Sequence, residues 1–201
     1  MKPIALAFTG ASGSIYGLRL LESLIQAGRQ VYLMVSQAGQ VVLRMEAGLE
    51  VPSDSEAAAN WFCERYQAEQ GQIQVFGRRQ WTAPVASGTN PPEAMVICPC
   101  TTATLASVAN GMSSDLMERA ADVMLKERRK LILVVRETPF SEIHLENMLK
   151  LARMGAVIMP ANPGFYHQPE SVGQLVDFMT ARVLDHLEIE HGLMPRWGDN
   201  Y

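Results

Sequence analysis

No apolar run in the sequence approaches the ~20 residues of a membrane-spanning helix, so none is expected. Cysteine is scarce. Cys63, Cys98 and Cys100 are an odd number and form no disulfide framework, so reduced thiols in the cytoplasm are expected. Cys98-Pro99-Cys100 is spaced too tightly for ordinary zinc ligation, and no His–Cys cluster completes it; both cysteines read as packing residues. Positive charge is not in excess. A formal net charge of −4 gives no electrostatic case for nucleic acid or an anionic membrane. Repeats and low-complexity tracts are missing as well. The opening "MKPIALAFTG" carries one lysine and an apolar run shorter than the ~7–15 residues of a signal segment, and it reads as a first strand.

What is present suits one domain over residues 1–201: 48% of residues are hydrophobic and 19% charged, enough for a full core. Apolar runs alternate with helical patterns. "IALAF" leads to a helix over about Ile15–Gln26, and "QVYLMVS" to one over about Ala38–Ala47. "EAMVICP" precedes a helix over Thr102–Ala109, "KLILVVRE" precedes "SEIHLENMLKLA", and "AVIMPA" precedes "SVGQLVDFMTARVLDHL". "IQVF" is a weaker strand, Asp54–Gln67 reads as helix, and "WTAPVASGTNPP" reads as a long loop. Continuous apolar strands separated by helices predict an α/β fold: a doubly wound, Rossmann-like or flavodoxin-like parallel sheet with helices on both faces. Ligands of such sheets bind beyond the carboxyl ends of the strands, which directs attention to the residues after each one.

The first turn, Thr9-Gly10-Ala11-Ser12-Gly13-Ser14, spaces its glycines as G-x-x-G-x-x-x-G once Gly17 is included. That is not the dinucleotide fingerprint. Its amides and hydroxyls suit an anion at a helix start. A tight turn needing glycine for its dihedrals explains the same residues. Strand two ends in Val35-Ser36-Gln37, without the acid that a dinucleotide site places roughly 20 residues on to hold the ribose. No tyrosine is followed four residues later by lysine, as a short-chain dehydrogenase requires. A mononucleotide phosphate fits better than NAD(P).

The turn "PCTTATLA" offers Thr101, Thr102 and Thr104 at a second helix start, either as caps or as the other half of a ligand cradle. Arg136-Glu137 directly follows "LILVV". The pair is a salt-bridged corner, or an arginine holding a phosphate beside a carboxyl that moves a proton. "ANPGFYHQPES" carries Tyr166 and His167 and is a lid or an ordered connection. Arg119, Asp122 and Lys126 share one stripe of a helix by i+3/i+4 spacing. Arg182 stands among Met179 and Val183 and suggests an oligomer contact or an anion at a subunit boundary.

The chain resembles UbiX-type flavin prenyltransferases along essentially its whole length. The resemblance rests on "TGASGSIYGLRLL", "VSQAG", "PVASGT", "MVICPCTTATLA", "RAADVMLKERRKLILVVRETPFSEIHLENML", "GAVIMPANPGFYHQP" and "LMPRWG". It implies transfer of a dimethylallyl group from dimethylallyl monophosphate to reduced FMN, giving prenylated FMN and phosphate. The product serves UbiD-type decarboxylases, often in ubiquinone biosynthesis. By the same resemblance Gly10, Ala11, Ser12, Ser36, Ser87, Thr101, Thr102, Ala103, Thr104 and Arg136 hold the FMN. Lys126, Arg136, Tyr166 and Arg182 hold the prenyl phosphate, with Arg119 arriving from a neighbouring subunit of a dodecamer. Glu137 protonates the departing phosphate and later acts as base, Ser12 and Glu46 form a polar relay, and Trp81 and Trp197 line or cover the site.

The residues agree with that chemistry at one point. No two aspartates are adjacent, so the magnesium-binding pairs of prenyl diphosphate enzymes are missing, whereas a monophosphate held by Arg, Lys and Tyr needs no metal. Two alternatives are weighed. FMN-dependent cysteine decarboxylases of the same fold carry P-A-S-A-N-T where this chain has "PCTTAT", and they lack the Arg-Glu pair and the Tyr–Arg set. A flavodoxin-like electron carrier would leave Arg136, Glu137, Tyr166 and Arg182 without a role.

Overall fold

The computed structural model of the chain describes residues 2–196 and 198. The apolar runs form six strands: β1 (Ile4–Phe8), β2 (Val31–Val35), β3 (Ile73–Val75), β4 (Ala94–Cys100), β5 (Lys130–Val135) and β6 (Val157–Pro160). All pair in parallel, in the order β3-β2-β1-β4-β5-β6. Of the two related arrangements expected, this strand order is the Rossmann-like one, with its topological switch point between β1 and β4. Seven helices cover the sheet: α1 (Ser14–Gln26), α2 (Gln37–Ala47), α3 (Ser55–Tyr66), α4 (Thr102–Ala109), α5 (Leu116–Lys126), α6 (Glu142–Arg153) and α7 (Val172–Leu187). The loop expected after β3 contains one 3₁₀ turn, Pro84–Ala86.

Strand residues alternate between two cores, as a sheet buried on both faces requires. Ile4, Leu6 and Phe8 meet α1, α2, α3 and α7 through Leu20, Leu43, Phe62 and Val183. Ala5, Ala7 and Ile97 face α4, α5 and α6 through Leu105, Ala120 and Leu151. Cys98 and Cys100 are buried in these two cores, as expected of packing residues. Burial pushes both thiols up, Cys100 to about 12, which leaves them inert.

Helix direction decides which residues reach the carboxyl edge of the sheet. Helices α5 and α7 run back against the strands. Lys130, the first residue of β5, bonds Glu188 at 2.9 Å and the carbonyl of His186, so the end of α7 lies at the amino edge. Six residues of strand at ~3.3 Å each put about 20 Å between the two edges along β5.

Candidate functional site

Among the described residues, six of the seven α-helices cap themselves. Ser36, Asp54, Thr101, Asp115, Ser141 and Ser171 each accept a bond from an amide in the first turn. Helix α1 starts instead at Gly13, with φ +100 and no side chain to offer. Its cap comes from α2. The Glu46 carboxylate accepts from the amides of Gly13 (3.0 Å) and Ser14 (2.9 Å) and from Ser14 Oγ (2.8 Å), with a further bond from the Ser12 side chain. Burial pushes the Glu46 carboxyl up, but these bonds together outweigh it and hold the group below the ordinary glutamate range.

Two expectations change as a result. The amides at the head of α1, expected to suit a ligand anion, already hold an anion supplied by the chain. The expected relay of Ser12 and Glu46 exists as a hydrogen bond, but a carboxylate held this low is a fixed acceptor at neutral pH, not a proton donor. Gly10 and Ala11 remain at the carboxyl edge, just before this cap.

At the switch point Thr9 ties β1 to β4. Its Oγ1 donates to the Pro99 carbonyl (2.6 Å) and accepts from the Thr101 amide (2.9 Å). Thr101 Oγ1 in turn accepts from the Thr104 amide (3.1 Å) and lies 2.9 Å from Thr104 Oγ1. Thr102, Ala103 and Thr104 therefore open α4 beside the first turn. Ser36 caps α2 on the other side, its amide bonded to Phe8 O at 3.0 Å. Sequence reasoning did not single out Thr9; a buried threonine directly after the first strand was the available signal.

Arg136 follows β5, with its amide on Cys100 O at 3.2 Å. No ion pair among the described residues joins it to Glu137, so the salt-bridged corner is ruled out. Its Nε is buried without a partner. A buried guanidinium N–H in that state is costly unless an anion pairs with it. Among the described residues the Glu137 carboxylate accepts only a long bond from Thr102 Oγ1 (3.5 Å) and one from the next amide, that of Thr138 (3.1 Å). Tyr166 stands in the segment after β6, packed edge-on to Phe178 with ring centroids 5.8 Å apart.

The remaining cations lie elsewhere. Lys126 ends α5 four residues before Lys130, which places it at the amino edge, where it pairs with Glu127. Ser87 is nearby: a Cβ on the adjoining Gly88 would stand 2.7 Å from Lys126 Nζ, and Ser87 Oγ lies 2.9 Å from Thr89 Oγ1. Arg119 binds Asp122 (2.8 Å) and the Ala86 carbonyl (3.1 Å). Arg182, expected within an apolar face, is on the exposed face of α7 instead, bonded to Asp185 at 2.7 Å, while Met179 and Val183 turn inward. It lies one turn from the end of α7 beside Lys130. One copy of the chain therefore does not bring Lys126 or Arg182 to Arg136. Trp81 is half exposed in the loop after β3, and Trp197 lies outside the described residues.

The family model described as Flavoprotein matches residues 1–184. The chain is 56% identical to flavin prenyltransferase UbiX of Pseudomonas aeruginosa, over 98% of this chain and 95% of that one. The chain belongs to the UbiX family of flavin prenyltransferases. UbiX of Halalkalibacterium halodurans is 45% identical over 95% of this chain and 91% of its own. Among solved structures, AnUbiX (PadA1) in complex with FMN and dimethylallyl pyrophosphate aligns at TM-score 0.86 and 38% identity, covering 98% of this chain and 97% of that one. The dodecameric FMN-dependent UbiX-like decarboxylase of Escherichia coli O157:H7 aligns at 0.83 and 36%, covering 97% and 98%. The cysteine decarboxylase TvaF, at 0.57 and 17% over 90% of this chain and 99% of that one, shares the fold alone.

The carboxyl edge fits a flavin mononucleotide. A partnerless buried arginine nitrogen, the hydroxyl-rich start of α4, the Ser36 cap of α2 and a turn built from Gly10 and Ala11 all converge there.

Proposed function

We propose that the chain, as one flavin-binding domain, transfers a dimethylallyl group from dimethylallyl monophosphate to reduced FMN, releasing inorganic phosphate. The observation that carries this reading is the Arg136–Glu137 pair. It combines a half-buried arginine, whose buried Nε lacks a partner, with an adjacent carboxyl that is only loosely held.

The turn Gly10-Ala11-Ser12, Ser36 and the Thr101–Thr104 segment would hold FMN at the carboxyl edge. Bound reduced FMN supplies the electron-rich nitrogen and neighbouring ring carbon that take up the allyl group. Arg136 is placed to pair with phosphate oxygens as the carbon–oxygen bond of the donor breaks and its electron pair passes to phosphate. A fixed cation aimed at that developing charge stabilises the transition state directly. Glu137 gives its proton to the departing phosphate oxygen and afterwards serves as base, oriented by Thr102. Ser12 donates to Glu46, which leaves its oxygen free to accept a hydrogen bond from a ligand. Tyr166 closes the phosphate end.

Lys126 and Arg182 lie toward the amino edge, away from the Arg136 of their own chain, and Arg119 is engaged by Asp122 and the Ala86 carbonyl. They complete the site from neighbouring copies, in a homo-oligomer of the dodecameric kind. The prenylated flavin passes to a UbiD-type decarboxylase in the cytoplasm. Phosphate release from dimethylallyl monophosphate tests the reading: release should require reduced FMN, and release at the same rate with FMN left out would overturn it.

A further inference from the structure

The strand order of this sheet is the one in which a dinucleotide lays its pyrophosphate across the start of the first helix, on free backbone amides. Here those amides are taken. Gly13 N and Ser14 N both point at Glu46, and Ser14 Oγ closes the same carboxylate. A second phosphate arriving at this place would meet a negative charge in place of donors. We infer that Glu46 is a specificity determinant: its carboxylate fills the pyrophosphate position of the fold, so the pocket takes flavin mononucleotide and turns away flavin adenine dinucleotide. The inference rests on the flavin reading above and adds what limits the ligand's size and charge.

Two further features support it. The obstruction cannot simply retreat, because α2 is packed directly on the turn. A Cβ on Gly10 would lie 2.5 Å from Ala38 Cβ in the first turn of that helix, so only glycine allows the approach. At the other end of α2, Glu46 bonds both Ser12 and Ser14 across the gap and stays ionised, its carboxyl held below the ordinary glutamate range despite the opposing effect of burial. The end of β2, Val35-Ser36-Gln37, likewise offers no acid for the adenosine ribose, so nothing there compensates for the lost phosphate site.

Flavin fluorescence quenching on the full chain tests this, with FMN and FAD titrated separately into wild type, Glu46→Gln and Glu46→Ala. Glu46→Gln keeps the shape of the cap and removes its charge, while Glu46→Ala frees the amides altogether. Wild type is expected to bind FMN at least about tenfold more tightly than FAD. In the variants the affinity for FAD relative to FMN should rise by about tenfold or more, the scale of removing a like charge beside a phosphate, whatever the loss of the cap does to both flavins alike. FAD that stays excluded from both variants while FMN binds would overturn the inference and leave the flavin reading standing, as would equal changes for the two flavins. Wild type that failed to bind FMN would overturn the flavin reading itself.

Discussion

Replacing Gly17 with alanine sets two effects of opposite sign against each other. Gly17 lies inside α1, where alanine is favoured over glycine by ~1 kcal/mol of helix propensity. A Cβ built at this position, however, would stand 2.3 Å from the Cys98 carbonyl oxygen and 2.5 Å from Phe8 Cε1. Neither neighbour can give way, since the carbonyl belongs to β4 at the middle of the sheet and the Phe8 ring is fully buried. An ordinary carbon–oxygen approach is ~3.3 Å, so α1 must back off the sheet by about 1 Å. Overpacking of a dense core costs ~1–3 kcal/mol. With rigid atoms on both sides the upper end applies, which leaves a net loss of about 2 kcal/mol after the propensity gain. At ~2–4 °C per kcal/mol for a chain of this size, Tm should fall by roughly 4–8 °C. The displaced helix also carries Gly13 and Ser14 away from Glu46, so FMN binding should weaken in parallel. Thermal denaturation at a fixed protein concentration reads the change, because oligomers melt in a concentration-dependent way. An unchanged or higher Tm would show that α1 is not seated on β4 as described.

Glu137→Gln should retain FMN, because its hydrogen bonds among the described residues reach only Thr102 and Thr138, yet slow turnover by ~10²–10⁴-fold, the usual contribution of general acid–base catalysis. Steady-state rates at saturating donor check it, and unaltered turnover would remove Glu137 from the proton path. Arg182→Ala should raise KM for the prenyl phosphate more than it lowers kcat. Mixed refolding of Arg182→Ala with Glu137→Gln chains should restore part of the activity, since each copy supplies what the other's site lacks; no restoration would place both residues in one chain's site. Acid unfolding should show the Glu46 cap. Its folded-state pKa is depressed, so its stabilisation is fully present above the ordinary ~4.3 and is lost as pH falls through the folded value. Urea midpoints between neutral and acidic pH should therefore fall less for Glu46→Gln than for wild type, and identical slopes would deny the cap.

Much of the carboxyl edge was legible in advance because it follows from strand endings. Buried strands write themselves as apolar runs, and a parallel sheet delivers every residue that follows one to the same edge. Thr101, Arg136 and Ser36 were found that way. Helix residues were harder to place. Lys126 and Arg182 lie near the ends of helices that return to the amino edge, so their charge type suggested a phosphate site that their own chain cannot bring them to. Spacing along a helix shows which face a side chain shares, not which edge of the sheet it reaches. The cap on α1 was hidden for another reason. Glu46 is 33 residues from Gly13, and no local pattern announces that one helix will borrow its cap from the next.

Incubating the protein anaerobically with reduced FMN and dimethylallyl monophosphate, then weighing the extracted flavin by mass spectrometry, tests prenyl transfer most directly. The flavin should gain one five-carbon allyl unit for each phosphate released, and Glu137→Gln should slow both together. Flavin of unchanged mass beside released phosphate would contradict the transfer and leave the chain a phosphatase that merely binds FMN.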